Sequence, residues 1–349
     1  EGSMPQSEHF TRSYAGETLA ERWPDMSPPF PKGVVPDEIA LAHGRRLVPK
    51  LVDVLALPEL GEEERAKALR YTLGVLSNQE TKTEAVSMGA AAPLVALLTA
   101  TLPEVRRLAC ETLSSLAMLR TGRAAVVDAQ GLPVLTGVLT DGEAEVRAAA
   151  AQCLEQVSSV ADGAEFILAS EPLIVPAIVT MLTDEASSEG ALLGGVSTLA
   201  QVTLTDPGVE ACLRARVPKA LLALSQRVAS PDIAFKCTAT LKNLCQHPYG
   251  KVQVLEAGCL PLLAAQLVAS SAEVRRQASG CLMGLSIEQD AKMVIAESAA
   301  ELLVGLLADA NVAVQENALM TIQNASELPD ARNLFVVLMD EQQRRLVYA

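Results

Sequence analysis

The chain has 349 residues, of which half are hydrophobic but only 3% aromatic, and its formal net charge is −14. Phosphate backbones and anionic lipid surfaces want a basic face, so this charge argues against a general nucleic-acid binder and against docking on a membrane. With Ala, Leu and Val supplying the volume that large rings usually supply, the composition suits thin layers of helix packed on helix.

Residues 1–36 carry Pro5, Pro24, Pro28, Pro29, Pro31 and Pro36, the only tryptophan, Trp23, and Phe10, Tyr14 and Phe30. No helical period survives there, which reads as an extended N-terminal arm. Its aromatic residues, Trp23 and Phe30 above all, are candidates for contact with another protein chain or with the chain's own first repeats.

From residue 37 to about 340 the sequence repeats. Leu73, Leu113, Leu154, Leu199, Leu241, Leu282 and Ile322 each fall late in a long helical stretch, at intervals of 40, 41, 45, 42, 41 and 40 residues. A fixed period of about 40–47 residues is the signature of armadillo and HEAT arrays. Eight residues before most of these anchors a helix begins, at Val105, Val146, Ile233, Val274 and Val314. The acids Glu104, Glu145, Asp232 and Glu273 stand just ahead, where they meet the positive end of the helix dipole. Thr101 with Glu104, Thr140 with Glu143, and Ser270 with Glu273 have the spacing of capping boxes.

Further upstream, Pro49, Pro93, Pro133, Pro176, Pro218 and Pro261 open a second helix, where the absent N–H removes no bond. Gly44, Gly89, Gly131 and Gly258 precede several of these prolines and can end a short first helix in a left-handed turn. Each unit therefore reads as short helix, turn, helix, turn, long helix. That three-helix pattern resembles the armadillo repeat more than the two-helix HEAT repeat. The expected fold is all-α, a right-handed superhelical armadillo solenoid of about seven three-helix repeats, with residues 341–349 as a short C-terminal tail. One unit departs: its long helix opens Glu189-Gly190-Ala191-Leu192-Leu193-Gly194-Gly195. The glycines mark a hinge or a close partner approach, or else tight packing on a neighbouring helix, and packing is the favoured reading.

Signals of chemistry are thin. His9, His43 and His247 are scattered and have no second ligand at helical spacing. No phosphate-binding loop, dinucleotide fingerprint or nucleophile elbow is present, so the reading is a protein without catalysis, cofactor, metal or small-molecule substrate. Seven cysteines, Cys110, Cys153, Cys212, Cys237, Cys245, Cys259 and Cys281, show no Cys-x-x-Cys spacing and read as buried free thiols of a reducing compartment. No secretion signal is legible, nor any apolar run of about 18 residues that could span a bilayer. The pairs Arg106-Arg107 and Arg275-Arg276, with Arg147, are either anchors for an acidic partner or, the favoured reading, inter-repeat ion pairs.

Armadillo proteins that grip extended peptides place Trp and Asn in ladders on their third helices. Two residues past each anchor this chain has Gln156, Gln201, Asn243 and Asn324 as the ladder candidates, without the stacking tryptophans.

The opening of the first repeat, Glu38-Ile39-Ala40-Leu41-Ala42-His43-Gly44-Arg45-Arg46-Leu47-Val48-Pro49-Lys50-Leu51, resembles that of the radial spoke head protein 14 family. The resemblance implies a structural subunit of the radial spoke in the axoneme of motile cilia, whose partners are other spoke proteins in a large hetero-complex. The alternative is a soluble armadillo adaptor that reversibly holds client segments in its groove.

Overall fold

The computed structural model describes residues 47–348. The arm, with Trp23 and Phe30, and the stretch from Glu38 to Arg46 lie outside the described residues. Among the described residues every regular element is helical.

The helices group as the period predicts. After Leu47–Leu55 and Glu62–Val75 come the triplets Gln79–Ser87, Ala91–Leu97, Pro103–Ala117 and Arg120–Asp128, Gly131–Val138, Ala144–Ser158. Next are Ala161–Ser170, Ile174–Thr183, Glu189–Val202; Asp206–Arg214, Val217–Arg227, Pro231–Leu244; and Pro248–Glu256, Leu260–Gln266, Ala272–Leu285. In the unit after these, Gln289–Leu306 runs as one helix before Val312–Ala325. No Gly or Pro stands between Gln289 and Val304, so nothing breaks the first helix from the second.

The chain divides into two compact units, one formed by residues up to Ala177 with Ala186–Gly194, the other by Ile178–Glu185 with residues from Gly195 onward. In the first, the third helices lie side by side, Pro103–Ala117 between Glu62–Val75 and Ala144–Ser158. In the second, Ala272–Leu285 lies between Pro231–Leu244 and Val312–Ala325. Six of the seven anchors, Leu113, Leu154, Leu199, Leu241, Leu282 and Ile322, are fully buried. Each such side chain contributes about 1.5–3 kcal/mol by leaving water. Leu73 is only half-buried; in its helix Ala66, Leu69 and Thr72 turn inward instead.

The turns obey the pattern with one shift. Gly89 and Gly258 take the left-handed conformation that ends their first helices, at φ +77° and +75°. In the next unit Gln130 does so at φ 57°, and Gly131 instead begins the second helix. Gly131 stays small because a β-carbon there would lie 3.1 Å from the Val95 side chain of the preceding second helix.

The predicted capping boxes do not form. The N-caps of the third helices fall one to three residues later than the Thr or Ser proposed as cap, and no side chain caps them. Arginine takes over this terminus. Arg106 donates through Nη1 to the carbonyls of Ala100 and Thr101, Arg147 to those of Asp141 and Gly142, and Arg275 to those of Ala269 and Ser270. In the last unit Gln315 donates to the Asp309 carbonyl from the same place. Long side chains one turn into the third helix thus satisfy the carbonyls that end the second helix.

The glycine-rich long helix shows packing. A β-carbon on Gly194 would sit 2.8 Å from the Ala151 backbone, within the first unit, and one on Gly195 would sit 2.6 Å from the Met181 side chain, within the second.

Residues 341–348, read from sequence as part of a tail, form the helix Glu341–Tyr348 with Val347 buried. It is held by Gln323 Nε2 donating to the Val347 carbonyl and by the Tyr348 hydroxyl bonded to Ser326.

All seven cysteines are free and buried, including Cys212 and Cys259. Burial pushes the thiols of Cys153, Cys212, Cys237 and Cys259 up to about 12, so they stay protonated and unreactive at neutral pH. No single helix among the described residues is long and apolar enough to cross a membrane.

Candidate protein-binding site

The paired arginines divide their labour by helix face. Arg106 grips Asp141 of the next unit, Nε to Oδ2 at 2.7 Å and Nη2 to Oδ1 at 2.9 Å. Arg275 grips Asp309 in the same way, at 2.6 and 3.0 Å. Both aspartates also accept a backbone N–H, from Glu143 and Asn311. The guanidinium hydrogen bond leads in holding each carboxyl below the usual aspartate range. These arginines join repeats and are not displayed to a partner, as the favoured reading expected.

The following arginines lie on the third-helix face. Arg107 is 2.5 Å from Glu111 of its own helix, with Glu104 at 3.9 Å and Glu145 at 3.7 Å. Arg276 pairs with Glu273. Each is ringed by acid, so neither is a free anchor for an acidic partner.

Around Arg107 the third helices of the first unit form a depression of about 500 Å³. Its floor is mostly small, with Ala148, Ala149, Gly190 and Gly194 beside Leu193, and its rim carries Glu111, Glu145, Gln152 and Glu155. Glu145 and Gln152 are exposed, and Glu155 is half-buried with no ion pair seen among the described residues. Three carboxylates stand against a single cation, which Glu111 already holds. A small floor lets a backbone come close to the helices, while acid at the rim favours a cationic side chain.

The ladder candidates behave otherwise. Asn243 Nδ2 donates to the Ala200 carbonyl and to Thr203 Oγ1, both at 3.2 Å. Asn324 Nδ2 donates to Ser286 Oγ at 2.9 Å. Their amides join each third helix to the end of the one before, because this position faces the preceding repeat rather than open groove. Asn317, which the sequence reading passed over, does the same to the Arg276 carbonyl and Ser279 Oγ. A signal was available: Thr203 and Ser286 stand 40 and 38 residues before their asparagines, one repeat back. Gln156 and Gln201 are half-buried, and no hydrogen bond of either side chain is seen among the described residues. Gln156 is in the first unit and the other three candidates are in the second. Among the described residues no group of three or more His, Cys, Asp or Glu side chains is placed to hold a metal.

Stacked three-helix units with third helices side by side give the chain an armadillo-type solenoid fold. The family described as the plant U-box protein ARM repeat region matches residues 127–294. U-box domain-containing protein 18 of Arabidopsis thaliana is 26% identical over 269 residues, which is 73% of this chain and 37% of that protein. The chain therefore spans little more than a third of that relative. An engineered protein of known crystal structure superposes with a TM-score of 0.74 at 24% identity, covering 86% of this chain and 72% of its own. A designed armadillo repeat protein gives 0.62 at 21% identity, covering 68% and 99%. Another, solved in complex with the peptide (KR)4, gives 0.61 at 22% identity with the same coverage.

Proposed function

We propose that this chain is a scaffold that binds an extended, basic segment of a partner protein across the third helices of its first unit. The observation that carries the reading is the depression beside Arg107, with its mostly Ala and Gly floor and the Glu155 carboxylate, for which no ion pair is seen among the described residues. The armadillo fold supports it, as does the (KR)4 peptide bound to a designed protein of that fold. The net charge of −14 adds a long-range attraction for a cationic segment.

Each exposed ion contact is worth only about 0–1 kcal/mol. Binding must therefore come from several contacts along a strand and weaken with salt. Labelled (KR)4 peptide is expected to bind the full chain in a fluorescence anisotropy titration at low salt. Reversing Glu145 and Glu155 together to Lys is expected to weaken it about tenfold, the effect of roughly 1.4 kcal/mol. No binding by the unaltered chain, or equal binding by the double variant, would end this reading.

A finer reading, supported by the resemblance of residues 38–51, makes the chain a spoke subunit of the ciliary axoneme, where other spoke proteins are its partners. On this reading the protein stays with detergent-stripped axonemes in quantitative mass spectrometry and disappears from axonemes lacking radial spokes. Recovery in the soluble fraction from both would reject it.

A further inference from the structure

Two positions recur at every junction between repeats: the residue four after one anchor and the residue just before the next anchor. Elsewhere the first is Ala, Ser or Thr, and the second is Thr or, once, Cys. Hydroxyls there bond back to a carbonyl of their own helix, as Thr203 does to Leu199, Thr240 to Lys236, Ser286 to Met283 and Thr321 to Asn317. Between the units anchored at Leu241 and Leu282 both positions are cysteine, Cys245 and Cys281.

Here the side chains turn to each other instead. Both thiols are buried, and Sγ lies 3.4 Å from Sγ. Cys245 is the C-cap of Pro231–Leu244, and Cys281 lies inside Ala272–Leu285. Gly284, one turn on from Cys281, shows how near the two helices run: a β-carbon on it would lie 3.6 Å from the β-carbon and the carbonyl oxygen of Cys245. A third thiol, Cys259, is engaged elsewhere, at 3.7 Å from the Pro218 carbonyl.

We propose that Cys245 and Cys281 are a modification site for peroxide, a dithiol that closes to a disulfide and fastens two neighbouring third helices together. Hydrogen peroxide converts one thiol to a sulfenic acid and leaves as one water. The second sulfur then displaces the sulfenic hydroxyl, which leaves with the remaining thiol proton as a second water. The peroxide O–O bond breaks, one S–S bond forms, and the two sulfurs together give up two electrons. A reducing dithiol reverses the step. To bond, the sulfurs close from 3.4 Å to about 2.05 Å.

The hydrogen bond with Cys245 and burial hold the Cys281 thiol well above the ordinary thiol range, so the resting pair reacts slowly. The oxidant's route is the helix end at Cys245, because helix ends fray more readily than helix interiors. Once formed, the bond joins positions 36 residues apart and so restricts the unfolded chain. The site is separate from the Arg107 depression and does not depend on the function proposed for it.

The test uses the full chain, reduced, folded and treated with hydrogen peroxide at neutral pH. Remaining thiols are then alkylated with N-ethylmaleimide in denaturant. Trypsin places the four cysteines of this region on separate peptides: residues 237–242, 243–251, 252–275 and 277–292. Without reductant, mass spectrometry is expected to find 243–251 joined to 277–292, with two of the seven thiols protected from alkylation. Dithiothreitol is expected to release the pair. Cys245→Ser and Cys281→Thr place at each position a residue that other repeats already hold there, so the fold is kept. Each is expected to abolish the linked peptide, whereas Cys153→Thr, in the other unit, is expected to leave it. The treated unaltered chain is expected to melt several degrees above treated Cys245→Ser, a comparison that also controls for methionine oxidation. Seven free thiols after treatment, or a link from 243–251 to 252–275 instead, overturns the proposal. So does a link that forms only in chain oxidised in urea, or equal melting of the two treated proteins.

Discussion

Leu241→Asp is expected to remove the cooperative thermal transition of the second unit. Leu241 is fully buried in the middle of Pro231–Leu244, which packs against Ala272–Leu285. Truncating such a leucine costs about 2–5 kcal/mol through lost transfer energy and the cavity left behind. The carboxylate adds the desolvation of a charge with no partner, for the nearby buried groups are apolar or are threonines and cysteines bonded elsewhere. Together these rival the roughly 5–15 kcal/mol that holds an ordinary domain folded. In a repeat array, loss of one unit also strips its neighbours of their interfaces. Circular dichroism melts of the unaltered chain, the Leu241→Asp variant and an exposed control, Val337→Asp, measure this. An unchanged melt for Leu241→Asp would show that the anchors are not the core.

Gly250→Ala is the second large effect, from adding one methyl group. A β-carbon on Gly250 would lie 1.9 Å from the carbonyl oxygen of Leu244, the end of the preceding third helix. Gly122 stands in the same relation to Leu116 at 1.9 Å, Gly208 to Val202 at 1.9 Å and Gly163 to Val157 at 2.1 Å. All four sit nine residues past an anchor. There the start of each first helix crosses the end of the last third helix at backbone contact. Backbone cannot rotate away as a side chain can, so the helix pair must separate. Overpacking of this kind costs about 1–3 kcal/mol, and rigid neighbours put this case at the upper end. In the next two units Ala291 and Ala331 fill the position, buried, so these junctions already hold a methyl group. Ala291→Gly is therefore expected to cost no more than about 1 kcal/mol, the helix-propensity difference. Urea denaturation midpoints of Gly250→Ala and Ala291→Gly decide it. If both shift equally, the close crossing is not what selects glycine.

Much of the architecture was legible because one unit is written again and again. A period near 41 residues, with proline in the first turn of most second helices and a leucine or isoleucine late in each third, is a strong pattern even where single positions are ambiguous. Where it failed, local signals competed with tertiary ones. Thr101 and Thr140 have the spacing of helix caps, but the N-caps fall at Leu102 and Glu143, and the bonds made there are those of Arg106 and Arg147 to the carbonyls of the preceding turn. Gly131 looked like the left-handed turn residue, but Val95 of the preceding repeat needed its lack of a side chain. Gln130 adopted the turn in its place.

The candidate site shows the same division. Asn243 and Asn324 carry the right chemistry for gripping a peptide, and sequence spacing places them on third helices as read. Spacing does not tell whether an amide on that helix meets solvent or the hydroxyl of the repeat before. Thr203 and Ser286 capture them, so the open polar surface lies instead at Gln152 and Glu155, over a floor mostly of Ala and Gly. By itself the sequence determined the helical class and the repeat period, because these are written in patterns that recur along the chain. Only the tertiary structure decided which charges are engaged between repeats and which small residues bring backbones into contact. These depend on side chains about one repeat apart in sequence and a few ångströms apart in space.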